Sequence, residues 1–151
     1  MEYMNDKGEK VADNYFEGTL QLRNPTKEVK KFVRKLVEKT PRVFVAKEEK
    51  VVNGFDIYLS SNKFLVNLGK KLQNKFGGEV KVSRKLHTRK RLTSKEVYRV
   101  TVLFRMPKFK VGDVVKTRGK LIEVKRMEKK VFGVDVDTGK KISVDYRYIS
   151  E

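Results

Sequence analysis

From Tyr15 to Arg23 apolar and polar residues alternate, with Phe16, Gly18, Leu20 and Leu22 on one side and Tyr15, Glu17, Thr19, Gln21 and Arg23 on the other. A period of two marks a strand with one buried face. Asn24-Pro25 then offers a helix N-cap followed by a proline in the first-turn position. Val29, Phe32, Val33, Leu36 and Val37 recur at the three-and-four spacing of an amphipathic helix, which stops before Pro41. Arg42 to Ala46 and Phe55 to Leu59 read as strands with Asn53-Gly54 as a turn signal, residues 47–52 being loop or irregular extension. A second helix is capped by Ser60 or Ser61, carries Leu65, Leu68, Leu72 and Phe76 on its apolar stripe, and ends at Gly77-Gly78. Two further strands, Val80 to Leu86 and Val97 to Phe104, flank a long basic tip.

This order predicts an α+β fold over residues 13–107: a split β-α-β (ferredoxin-like) sandwich with both helices on one face of the sheet. Beyond Met106-Pro107 only short strands follow. Phe109-Lys-Val-Gly-Asp113 opens a segment in which Val114-Val115, Leu121 to Val124, Val131 to Val136 and Ile142 to Tyr146 are separated by turn residues. That pattern predicts a small SH3-like β-barrel over residues 108–151, with Met106 and Phe109 partly buried at the seam. Residues 1–12 are polar and unpatterned, and are expected to form a flexible arm.

Composition sharpens the functional picture. Lys plus Arg number 37 against 19 Asp plus Glu, a net charge of +18, which is the footprint of a nucleic-acid binder. Cysteine is absent and His87 is the single histidine, so thiolate chemistry, disulfides and histidine-rich metal sites are excluded, and no cofactor is expected. No apolar run approaches the roughly 20 residues that span a bilayer, and the acidic start lacks the basic n-region of a signal peptide, so a soluble, cytoplasmic protein is expected, with no membrane partner. Abundant Lys and Glu without Cys or Trp resembles a chain adapted to high temperature.

Lys81, Arg84, Lys85, His87, Arg89, Lys90, Arg91 and Lys95 crowd the hairpin with no carboxylate among them. Such crowding costs self-repulsion that a polyanion relieves, so these are the candidate RNA contacts; a solvated tip that only aids solubility is the alternative. Ser60 and Ser61 either bind phosphate at a helix N-terminus or simply cap it. Tyr15, Tyr58, Tyr98, Phe55 and Phe104 either stack on unpaired bases or pack in the sheet. Asp135 and Asp137 either share a magnesium ion or are turn residues. With no paired histidine and carboxylate and no phosphate-cradling glycine loop, neither an enzyme nor a small-molecule substrate is expected.

Tyr15-Phe16-Glu-Gly-Thr-Leu20-Gln21-Leu22-Arg23, Asn53-Gly54-Phe-Asp56-Ile-Tyr58-Leu-Ser60-Ser61, Lys81-Val-Ser83-Arg84-Lys85-Leu86 and Tyr98-Arg-Val-Thr-Val102 resemble, in order, successive blocks of the ribosomal large-subunit (60S) export adaptor family, nonsense-mediated decay protein three. The glycine-x-aspartate-x-tyrosine-x-serine-serine block is the most specific of them. The resemblance implies that the chain binds the joining face of the nascent large ribosomal subunit, reaching toward the tRNA exit region and the mobile stalk. Its partners would be rRNA and, beside it, ribosomal proteins. The family's Cys-x-x-Cys zinc segment and its export tail are missing, so the chain reads as an archaeal-type homologue or a fragment starting after the zinc module. A large-subunit assembly or ribosome-binding factor is thus the leading reading. A general RNA-binding module, and a protein-interaction adaptor acting through the barrel, remain as alternatives.

Overall fold

A computed structural model of the chain describes residues 2–90 and 95–150, and the side chains of all of these except 87–90 and 95–97. Where a flexible arm was expected, β1 (Tyr3–Met4) and β2 (Lys10–Val11) form a small antiparallel hairpin. Turn chemistry organises it, not hydrophobic period. The Asn5 side-chain oxygen accepts from the Lys7 and Glu9 N–H groups, and Gly8 takes the positive φ that the turn requires. The Tyr3 ring then docks edge-on against Phe44, centroids 4.7 Å apart.

The first body contains β3 (Gly18–Arg23), α1 (Lys27–Lys39), β4 (Val45–Val51), β5 (Gly54–Leu59), α2 (Asn62–Phe76), β6 (Glu79–Lys90) and β7 (Lys95–Arg105). Sequence reading placed the α1 cap at Asn24, whereas Thr26 caps it by accepting from Val29 N–H. Asn24 instead turns the chain with φ 51°, and its amide donates to the Met106 carbonyl. For residues 47–52 the structure takes the irregular extension over the loop: β4 runs to Val51 with a bulge between Val45 and Lys47, and Lys47 to Val51 pair with β5.

Strand order is β4-β5-β3-β7-β6, with β3 antiparallel to β5 and parallel to β7. β3-α1-β4 is a split β-α-β unit with β5 inserted. The ferredoxin-like plan, however, puts a single strand inside the second crossover, and here β5-α2-β6 encloses both β3 and β7. Burial explains the difference. The helix-side positions of β7 are Val100, Val102 and Phe104, at 4% exposure or less, whereas β6 offers Val80, Val82, Arg84 and Leu86 opposite them. The more apolar arm of the hairpin takes the interior place, and the charged arm becomes the edge. Leu20, Leu22, Ile57 and Leu59 complete the sheet side of a core closed by Val29, Val33 and Val37 of α1 and Leu65, Leu68 and Leu72 of α2.

The second body is β8 (Val114–Thr117), β9 (Lys120–Met127), β10 (Val131–Asp135), β11 (Lys141–Val144), a 3-10 turn (Tyr146–Tyr148) and β12 (Ile149–Ser150). Its order is β11-β10-β9-β8-β12, antiparallel throughout, and among the described residues no pairing of β11 with β12 closes it into a ring. Ile122, Val124, Val131, Val144, Val115, Tyr146 and Phe109 form its separate core. Met106 packs against the first core and Phe109 lies within the second. Tyr146 links the two bodies. Its hydroxyl accepts from Gly78 N–H at 2.7 Å and donates to the Glu128 carbonyl at 2.6 Å. No helix among the described residues is long and apolar enough to cross a membrane.

Candidate nucleic-acid interface

With both helices on one side, strand alternation sends the other half of every strand to the opposite face. Tyr58, Thr19, Thr101 and Ser83 form one row across it, and Asp56, Gln21, Leu103 and Lys81 form the next. Toward β6 this face becomes basic. Lys81 lies opposite Leu103 and Lys85 opposite Arg99, while Arg105, further along β7, faces the carboxylate of Glu79 across the ladder. Arg84 falls on the other side of β6 with Val82 and Leu86, each close to half exposed. The expected cluster is therefore split by the pleat into two faces of one edge strand. Arg99 and Arg105 were missed by sequence reasoning, and the phase of β7 against Lys81 and Lys85 is the signal that would have found them.

The hairpin itself departs from expectation. Instead of opening into a long tip after Leu86, the ladder continues past a bulge at His87 through Arg89↔Glu96 to Lys90↔Lys95. Pairing satisfies the backbone groups that an open tip would leave to water. Arg91 lies outside the described residues, as do the side chains of His87, Arg89, Lys90 and Lys95.

Ion contacts hold some of the cations on other elements: Lys30 and Arg34 with Glu48, Lys47 with Glu49, Arg23 with Asp56, Lys125 with Glu123, Arg126 with Glu128 and Arg147 with Asp145. Lys81, Arg84 and Lys85 are all exposed and make no ion pair with a described residue. Three exposed cations on one strand without an ion partner raise the local positive potential.

The two serines have internal partners. Ser60 Oγ accepts from Phe44 N–H at 3.0 Å. Ser61 Oγ caps α2 by accepting from Phe64 N–H at 3.1 Å, and donates to the Asp6 carboxylate at 2.6 Å. Glu17 accepts from Asn62 N–H at 2.9 Å. The positive end of α2 thus already carries two carboxylates of its own chain. Glu17 also accepts from the Tyr15 hydroxyl at 2.5 Å, and burial, reinforced by that bond, pushes the Tyr15 hydroxyl well above its ordinary range. Of the other aromatic candidates, Phe104 is fully buried, Phe55 packs against the same core, Tyr98 is 41% exposed, and Tyr58 sits on the open face, edge-on to Phe16 at 5.0 Å. Asp135 Oδ1 accepts from the Asp137 and Thr138 N–H groups, which hold its carboxyl below the usual range and make it the brace of a turn. Among the described residues no three His, Cys, Asp or Glu side chains converge as metal ligands.

These contacts account for the sequence block running from Gly54 to Ser61. Gly54 lets β5 approach β3. Asp56 meets Arg23 at 2.9 Å, a charge contact without good hydrogen-bond alignment, since the same nitrogen serves the Leu22 and Phe55 carbonyls. Tyr58 holds Phe16, Ser60 ties down Phe44, and Ser61 starts α2. No curated protein matches the chain. The model of a family described as NMD3, second domain, matches residues 15–106, which run from the residues leading into β3 to the end of the first body; the chain belongs to the NMD3 family.

Proposed function

We propose that the protein is a ribosome-binding or assembly factor of the large subunit that contacts rRNA through the β6–β7 hairpin, with Lys81, Arg84, Lys85, His87, Arg89, Lys90, Arg91 and Lys95 as its phosphate-facing residues. The NMD3 family associates with the large ribosomal subunit. The observation that carries the finer reading is the concentration of exposed charge from Lys81, Arg84 and Lys85 along a sheet edge, with no ion pair to a described residue. Arg99 and Arg105 extend this surface, and long cationic side chains on a flat edge suit the phosphate backbone of folded RNA. We assign the second body an SH3-like architecture, which its linear strand order and the 3-10 turn before its last strand support. Co-sedimentation with purified large and small subunits at graded salt tests the reading. Large-subunit binding is expected, falling with a logarithmic salt slope of about 4 to 6 for several phosphate contacts. Equal binding to both subunits would reduce the protein to a general RNA module.

A further inference from the structure

A second surface of different chemistry lies on the outer face of β9, β10 and β11. There a concavity of about 350 Å³ is lined by Lys125, Arg126, Phe132, Val134, Lys141 and Ile142, and carries no carboxylate. Its shape follows from a bulge. Phe132 pairs with Arg126 and Gly133 with Val124, leaving Lys125 as the extra residue of β9. A regular strand would send one of two consecutive side chains inward. The bulge turns both Lys125 and Arg126 outward, as bulges beside binding sites commonly do. Gly133 makes the bend possible, since a Cβ there would lie 2.6 Å from the Glu123 carbonyl oxygen. The Arg126 guanidinium lies over the Phe132 ring, 4.4 Å from its centroid. Phe132 and Val134 supply the apolar floor, Ile142 packs toward the core behind them, and Lys141 stands at the edge strand.

From this geometry we propose that the concavity binds an unpaired nucleotide of single-stranded RNA. The base lies against Phe132 and Val134, beside or upon the Arg126 plane, and the flanking phosphates meet Lys125 and Lys141. The proposal borrows from the reading above only that the partner is RNA. The volume sits near the lower end of the ~300–1,000 Å³ of ligand pockets, which suits one nucleotide and not a helix. The carboxylates nearest in sequence, Glu123 and Glu128, hold Lys125 at 3.2 Å and Arg126 at 3.4 Å in exposed pairs that exchange readily for phosphate. An acidic peptide shares the charge complementarity, yet would gain little by adding a strand at β11, which spans four residues and opens with a lysine. Stacking on a guanidinium–aromatic pair is what a base can use and a carboxylate side chain cannot.

Photo-crosslinking of the full chain to an eight-nucleotide oligouridylate containing 4-thiouridine, followed by peptide mapping and anisotropy titration, tests this site. Crosslinks within 125–142 are expected. Phe132→Ala should lower crosslink yield and affinity about fivefold or more, the loss typical of one stacked base. Lys141→Gln, at an exposed position, should lower affinity about twofold to threefold and serves as the test where Phe132→Ala lowers the melting temperature. Crosslinks mapping only outside this region, or Phe132→Ala binding as wild type with an unchanged melting temperature, would overturn the proposal. So would a glutamate-rich peptide that binds more tightly than the oligouridylate and loses its grip on the same substitutions. The Lys81→Gln/Lys85→Gln variant should keep the crosslink at 125–142. Its loss of subunit binding concerns the hairpin alone, so failure of either reading is seen separately.

Discussion

Gly54 stands where β5 comes closest to β3: a Cβ built there would lie 1.8 Å from the Leu22 carbonyl oxygen. The obstruction is backbone, so no side chain can step aside, and relief requires parting two paired strands at the centre of the sheet. Gly54→Ala should therefore destabilise by about 3 kcal/mol or more, lowering the melting temperature by roughly 6–12 °C, as thermal denaturation would record. A shift within a degree or two would mean that the strands part cheaply. Sequence reading took Asn53-Gly54 as a turn signal, and the left-handed residue of that turn is Asn53, φ 63°. The glycine answers to a contact 32 positions back in the chain, which local turn rules do not contain. Asn24 gives a similar lesson: it has the right chemistry for a cap, but its amide finds Met106, a partner visible only once β7 lies beside β3.

At the level of elements, the periodic segments were legible and their partners were not. α1, α2, β3 and β5 appear where the three-and-four or alternating spacing put them, because one buried face repeats at the helical or strand period. β1 and β2 lie where the pattern suggests a flexible arm, and most of β4 lies where it leaves loop and irregular extension as alternatives. β4 reads Val-Ala-Lys-Glu-Glu-Lys-Val, whose outer positions are charged and whose inward Glu48 is bound by Lys30 and Arg34 of α1. An edge strand that uses an ion contact in place of apolar packing leaves no hydrophobic alternation to read. β6 is the opposite edge, and its described cations Lys81, Arg84 and Lys85 make no ion pair with a described residue. Replacing Lys81, Arg84 and Lys85 together by Gln should leave the melting temperature nearly unchanged, because exposed unpaired charges add little to stability. Filter binding to structured RNA should weaken about tenfold or more, with the salt slope falling by about 2 to 3 as up to three phosphate contacts are lost. Normal binding by this variant would remove the described part of β6 from the interface.

Across the whole molecule, the two cores meet at a seam that a tyrosine hydroxyl crosses. Tyr146 begins the 3-10 turn of the second body, yet its oxygen reaches the Gly78 N–H at the end of α2 and the Glu128 carbonyl in the turn after β9. Gly77 lies so close to Met127 that a Cβ on it would come within 2.7 Å of the Met127 Cβ. Burial pushes the Tyr146 hydroxyl above the ordinary tyrosine value of 10.0, although the Gly78 N–H opposes the shift. A raised pKa means that the contribution is present below about pH 10 and is lost as the pH rises through the higher, folded value. Tyr146→Phe keeps the ring in its core and deletes both bonds, stranding a buried N–H at a cost of about 1–3 kcal/mol. Amide exchange should quicken at Gly78 while Leu20 and Val102 keep their protection, and the variant should lose less stability than wild type between pH 10 and 11. The hairpin and the β9–β11 concavity are carried by different bodies, so a loosened seam lowers the effective concentration of one site for RNA held by the other. Affinity for an RNA long enough to reach both should fall, while oligouridylate crosslinking to the second body stays as it was. Unchanged exchange at Gly78 would show that the two bodies are held by contacts other than this hydroxyl.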